Sequence, residues 1–427
     1  MQPFGFYPLW FLKRALLAVV IAVLFFANSW AEWRFLPALD LEESYDSNIY
    51  LSSDNETSDF ITRLSPELRL EDVSENRTFA ASYIMHLYHF DRHDENNYIG
   101  HSADLSWDQR LSRNLSWHIM NTYFRSEEPL EDDPEYTGVR ETRNMYTRNS
   151  VDTGFTYQFG REDRVTVSYL DTRLQNRDPD IEDDVAYGPR LDLEYWLNQR
   201  HGLLLGYSWS RIDYEHDPSD QMDETVVGYQ WRWSPHTTLH LDYGLVLFSS
   251  KAPAEEEGDD YNVQSIAAGF DHDFGPLWTL TGAFGYFFFN PKESESSDGP
   301  VYRLTLGRSF ARGSVTLSGE GGYRLDYSGA DAEGFTEYRG VSLSSAFSMS
   351  PRTELYTSAS YMYEQAEEEE RTREEFWDVS VGMSYEISTW LTGIVELTQR
   401  ERNSSDERDE YRDSLVLLRL RGTYEWR

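Results

Sequence analysis

The side chains of this 427-residue chain that could do chemistry are histidines, arginines and clustered carboxylates. There is no cysteine, which removes thiol catalysis, Cys-ligated metals and a disulfide framework together. His86, His101, His118 and His240 are the candidate general bases. Each lies in an ordinary alternating stretch, with no HExxH, GxSxG or comparable motif around it. Gly319-Glu320-Gly321-Gly322 also lies in an alternating run with no helix after it, so a phosphate there would find no helix N-terminus. The sequence reads as non-enzymatic, and no metal or other cofactor is expected.

Arg63, Arg69, Arg148, Arg190, Arg232, Arg303, Arg324, Arg419 and Arg421 fall on the polar face of alternating segments. Guanidinium offers a planar fork of donors, so a ladder of them could hold anions, sugar hydroxyls or carboxylates. The other reading is that they pair with Asp and Glu opposite. A second candidate is the long polar segment Ser126–Asn144, with Glu127, Glu128, Asp132 and Asp133 among its acids. Folded inward, it would make an acidic, cation-favouring constriction; left outside, it is a solvated loop. The run Glu367-Glu368-Glu369-Glu370 could share divalent cations with lipopolysaccharide, although it lacks EF-hand spacing. The formal net charge of −37 excludes a nucleic-acid binder that works by neutralising phosphates.

What positions these residues is a pervasive period of two. Phe60, Thr62, Leu64, Pro66, Leu68 and Leu70 share one face, and Ile61, Arg63, Ser65, Glu67, Arg69 and Glu71 the other. The pattern recurs in Leu239–Leu247, Leu191–Leu197 and Trp377–Tyr385, and no long stretch shows a helical period. Connections alternate between short turns, such as Leu111–Asn114, Ser234–His236 and Glu386–Ser388, and long acidic segments, such as Asp46–Asp59, Asp213–Asp223 and Ser328–Thr336. Nine short and ten long connections join about twenty strands, with eighteen left open as an alternative count. The alternating runs are long enough for tilted spanning strands, which need about 9–11 residues.

The expected fold is therefore an all-β, antiparallel, up-and-down transmembrane β-barrel with short periplasmic turns and long acidic external loops. Aromatics make up 15 % of the chain, as interfacial girdles would require. Residues 1–31 read separately as a cleaved signal peptide: Lys13 and Arg14, the apolar run Ala15–Ala27, then Ser29-Trp30-Ala31. Residues 32–427 are the barrel. Its last strand, Val416 to Trp426, alternates to the end, like the signal by which such barrels are recognised for insertion.

Tyr45-Asp46-Ser47-Asn48-Ile49, closing the first strand, and Ser58-Asp59-Phe60-Ile61-Thr62-Arg63-Leu64-Ser65-Pro66, opening the second, resemble the outer-membrane β-barrel porin 2 group. That group includes barrels of the exopolysaccharide (exosortase)-associated type. The resemblance implies an outer-membrane location and supplies no catalytic residues. Three functions follow as alternatives: a porin-like channel for hydrophilic solutes such as saccharides, a polysaccharide export or assembly barrel, and a sealed structural or adhesive barrel. The expected partners are outer-membrane lipid, lipopolysaccharide, the barrel assembly machinery and, for the second alternative, polysaccharide. The oligomeric state stays open.

Overall fold

The computed structural model describes residues 33–129, 143–178, 181–250, 260–292, 296–327, 334–366, 373–406 and 409–425. Their strands, in chain order, are β1 Arg34–Asp46, β2 Asp59–Ser74, β3 Arg77–Phe90, β4 Tyr98–Arg110, β5 Leu115–Ser126, β6 Tyr146–Gln158 and β7 Arg164–Asn176. There follow β8 Asp184–Trp196, β9 His201–Tyr214, β10 Asp220–Ser234, β11 Thr237–Ser250, β12 Tyr261–Asp273, β13 Trp278–Pro291 and β14 Ser297–Phe310. The last six are β15 Gly313–Asp326, β16 Gly334–Ser350, β17 Thr353–Ala366, β18 Arg373–Ser388, β19 Leu391–Ser404 and β20 Tyr411–Thr423. Each strand pairs antiparallel with its sequence neighbours, and β1 pairs with β20 from Ala38↔Thr423 to Asp46↔Leu415. The sheet is therefore closed and has no free edge strand, as a lipid-embedded sheet must be. The sequence expectation of about twenty strands is met.

The long connections sit at one end of the barrel and the short turns at the other, as the alternation required. One turn is corrected: the β18–β19 reversal is at Thr389-Trp390, not at Glu386–Ser388. A register shift between Glu386 and Ser388 carries the strand two residues further before it turns. Similar shifts precede the β10–β11 and β16–β17 turns.

The apolar face points outward. Leu39, Leu41, Leu64, Leu68, Val167, Leu241, Leu247, Leu397 and Leu418 are all exposed large hydrophobics. A soluble sheet would bury them; here they meet acyl chains, where a charge would cost about 2–4 kcal/mol at mid-depth. Below them, at the short-turn end, aromatic rings pack against one another around the wall, edge to face in the first run and stacked in the other two. Trp33, Phe79, Trp107 and Trp117 form one run, Tyr157, Phe159 and Tyr195 a second, and His201, Trp231 and Trp233 a third. The barrel is an integral, multi-pass protein of outer-membrane type.

At the external end the wall laps over itself. Pairing between β14 and β15 stops at Tyr302↔Gly321, although β13–β14 continues to Phe289↔Ser297 and β15–β16 to Asp326↔Gly334. Above that pair β15 parts from β14 while β16 stays paired with β17 up to Thr336↔Ala366, and the upper β15–β16 hairpin lies on the inner side of β11–β13. Phe335 stacks on Phe289 with centroids 3.9 Å apart, and Tyr327 stacks on Phe248 at 4.4 Å. The Tyr214 hydroxyl donates to the Tyr327 carbonyl oxygen (2.7 Å), so the lap reaches across to β9. Pro300, which has no N–H to donate, lies on β14 just beyond its last pair with β15, where ladder pairing has ended.

Candidate functional site

The inner face carries the nine candidate arginines, and most are engaged. Glu42 lies between Arg63 and Arg419, each 2.6 Å away. Arg421 meets Asp40 (3.1 Å) and Glu67 (2.6 Å). These groups come from β1, β2 and β20, so the closing seam of the barrel is also a charge network. Its alternation of acid and base follows from Asp40, Glu42, Arg419 and Arg421 sharing a face with period two. Arg69 pairs with Glu71 (2.7 Å) near the short-turn end. Arg232 reaches Glu162 in the β6–β7 turn (2.6 Å) and lies over the Trp196 ring at 3.6 Å. Arg303 faces Glu320 (3.4 Å), and Arg324 holds the buried Glu364 (2.7 Å). Arg148 is 2 % exposed. Arg190 differs from all of these: it is exposed, and among the described residues it makes no ion pair.

Of the acidic candidates, Glu127 and Glu128 are described, while Asp132 and Asp133 lie outside the described residues, as does the run Glu367–Glu370. Glu128 turns into the mouth. Arg143 donates to both its oxygens (3.1 and 3.2 Å), and the Tyr98 hydroxyl donates to Oε1 (3.0 Å). Burial opposes the Glu128 charge, but Arg143 and Tyr98 outweigh it and hold the carboxyl below its ordinary range. Burial pushes the neighbouring Glu127 carboxyl up, against the pull of Arg177 and Arg143. Arg143 also donates to the Ile49 carbonyl oxygen (2.7 Å) and lies over the Phe90 ring. Ile49, Ile61, Phe90, Tyr98 and Met145 form a small core here. The buried Asn48 amide holds the Ser52 and Arg412 carbonyl oxygens (2.9 and 3.1 Å), pinning the first external connection over the lumen. The segment Tyr45–Ile49, which carries the family resemblance, thus has a structural task.

Two cavities open on the β2–β10 wall. The larger, about 790 Å³, is lined by Arg63, His86, Asp104, Arg148, Asp152 and Arg190 among others; the smaller, about 530 Å³, by Arg164, Arg190, Asp192, Ser208 and Glu224. The opposite side of the mouth is filled by the aromatic lap.

The four histidines do not assemble a hydrolytic centre. His86 sits between the Ser65 and Ser102 hydroxyls (3.0 and 3.2 Å). His118 meets Asp152 and His240 meets Asp242, both at 2.8 Å. His101 is on the lipid-facing side against the Tyr83 hydroxyl, also at 2.8 Å.

Compared by sequence, the chain matches no family model and no curated protein. Compared by fold, it is similar to the siderophore receptor PiuA from Acinetobacter baumannii, with a TM-score of 0.53 at 8 % identity over 92 % of this chain and 82 % of the receptor. The siderophore receptor PirA from Pseudomonas aeruginosa gives a TM-score of 0.50 at 11 % identity, over 92 % and 80 %. The outer membrane protein OpdK of the same organism gives 0.46 at 11 % identity, over 92 % and 99 %. The fold is that of an outer-membrane β-barrel. At such identities the likeness extends to the fold, and no match carries the finer porin 2 assignment.

Neither the aromatic lap nor Arg143 was singled out from the sequence. Arg143 lies in a segment read as one polar loop, and only its place beside Glu128 gives it a role. Tyr323 and Leu325 continue the outward, apolar parity of β15, which signals lipid contact as readily as a folded-in strand end.

Proposed function

We propose that the protein is a porin-like channel for small hydrophilic solutes, with saccharides as the favoured class. The observation that carries this reading is the asymmetry of the lumen. The aromatic lap fills one side, while the β2–β10 wall keeps two cavities, of about 790 and 530 Å³, that meet at Arg190. Small residues such as Ser102, Ser106, Ser150 and Ser168 on that wall leave room for water and for hydroxyl-bearing solutes. A barrel of this strand number encloses a lumen wide enough for such a path. The test is single-channel conductance of the refolded protein in planar bilayers. Steady ohmic steps support the channel, and silence from protein verified as folded removes it.

A second reading is export or assembly of a polysaccharide, with the mouth opening only when partner proteins act. The lap favours it, because the upper edge of β15 meets β11–β13 through side chains and not through ladder hydrogen bonds, so the β14–β15 seam can part there without breaking a strand pair. Co-expression with the neighbouring genes of its locus tests this: conductance that appears only with a partner supports it. Under either reading, lipopolysaccharide is the lipid partner. Outward pairs such as Arg173–Asp171 and Arg211–Asp213 lie toward the external end, where its phosphates and bridging cations would be.

A further inference from the structure

We propose that Arg190 is the docking point for the carboxylate of an acidic monosaccharide, a uronate. The inference rests on the channel reading for how the sugar reaches the lumen. Of the lumen arginines described above, those at the seam, the turns and the lap already face a carboxylate, so their charge is compensated before any solute arrives. Arg190 stands in register with Ser168 on β7 and Ser208 on β9. Neither serine can neutralise a guanidinium, and both are too short to cover it. The side chain is exposed and lines both cavities, so a solute moving from one to the other passes it. An uncompensated guanidinium on a polar wall is a bidentate site for a carboxylate.

The surroundings set the rest of the ligand. Asp104 and Asp152 line the larger cavity, where they can accept from sugar hydroxyls. Asp192 follows Arg190 on the same face, and Glu224 lines the same smaller cavity; both repel a second anionic group. Of the other arginines that line these cavities, Arg63 and Arg164 are held by Glu42 and Glu194 and Arg148 is buried, so one uncompensated guanidinium within an acidic, hydroxyl-accepting wall suits a solute with one carboxylate and several hydroxyls. It does not suit a polyanion or a neutral sugar.

The test is titration of the refolded barrel in detergent with galacturonate and with galactose, followed by calorimetry. Galacturonate should bind at least about tenfold more tightly than galactose, the scale of one charge-assisted bidentate contact. Arg190→Gln should bring galacturonate down to the level of galactose, and Arg190→Lys should keep part of the preference. Because Arg190 is exposed and has no carboxylate to abandon, these variants should fold as the parent does. Equal binding of the two sugars, or an Arg190→Gln barrel that binds galacturonate like the parent, overturns the inference. Binding in detergent does not require conduction. A barrel that binds galacturonate but never conducts would lose the channel reading and keep the site, while a conducting barrel indifferent to Arg190→Gln would lose the site and keep the channel.

Discussion

The two sides of the external mouth are held by different physics. Toward β9–β16 the closure is aromatic: Phe248, Tyr261, Phe287, Phe289 and Phe335 are all buried, and the Tyr261 and Tyr327 hydroxyls are 2.5 Å apart. Toward β1–β6 it is a clasp of charge and amide hydrogen bonds, with Arg143 gripping Glu128 and the Ile49 carbonyl over a small apolar floor. The first is dominated by non-directional ring burial, with Arg324–Glu364 (2.7 Å) the ion pair beside it. The second depends on one carboxylate staying ionised. A mouth built this way can be loosened on one side without disturbing the other.

The largest effect is expected on the aromatic side. Phe335→Ala removes the ring stacked on Phe289 and should cost about 3–5 kcal/mol of local packing. The barrel ladders do not include this contact, so the wall should stay closed while the hairpin end loosens. Limited proteolysis of the folded protein should then cut next to Phe335, and unchanged resistance there would sink the lap as a docked element. Next in size is Glu42→Gln at the β1–β20 seam, which leaves Arg63 and Arg419 facing one another without their shared carboxylate. Breaking a buried pair costs about 3–5 kcal/mol, and the partial exposure of both arginines lowers this to about 2–3. Urea midpoints in detergent measure it. A charge network at the seam, across the barrel from the lap, should weaken the barrel without changing protease access at Phe335.

The wall of this fold was legible because a membrane-spanning strand must obey two constraints at once, lipid outside and polar lumen inside. Phe60 to Glu71 and Trp377 to Tyr385 could satisfy both only as alternating strands. The arginines that share a face in the sequence lie on the inner face of the sheet. Their partners followed less directly: Glu42 between Arg63 and Arg419 requires knowing that β1 meets β20, which the up-and-down order implies. The lap was not legible. Tyr323, Leu325 and Phe335 keep a pattern that lipid contact explains, and parity cannot say that a strand end has bent inward onto another strand's inner face. Gly334 at φ +68° and Phe335 after it fell within a stretch read as loop. The special standing of Arg190 was equally hidden, because a residue without a partner is defined by its neighbours across β7 and β9.

On the charged side, Arg143→Ala should cost about 1–3 kcal/mol, since Glu128 keeps the Tyr98 hydroxyl and some solvent. It should expose the mouth near Asn48 to protease and leave Phe335 protected, the reverse of Phe335→Ala. Acid should imitate it. The Glu128 carboxyl is held below its ordinary value, so its contribution is complete above about pH 4.3 and is lost as the pH falls through the lower, folded value. Glu127, raised by burial, takes up its proton at higher pH, so the two steps are separable. Protease access near Asn48 that rises only below about pH 4 in the parent, and is already high and flat in Arg143→Ala, identifies the clasp. A parent whose two sides loosen together would break the comparison.

The smallest effect should come from Arg303→Ala. Its partner Glu320 is 3.4 Å away, and the two side chains are 70 % and 38 % exposed. An exposed pair at that separation is worth about 0–1 kcal/mol, because water and salt screen it and two long side chains must be ordered to make it. The urea midpoint should therefore barely move. Arg303 lies on β14 just below Tyr302↔Gly321, where the lap begins, so the variant also asks whether charge helps steer the hairpin inward. If packing alone steers it, Phe335 stays as protected in Arg303→Ala as in the parent, at low salt and high. Protection lost at low salt would show that the aromatic side, too, is set by charge, and the division between the two halves of the mouth would not hold.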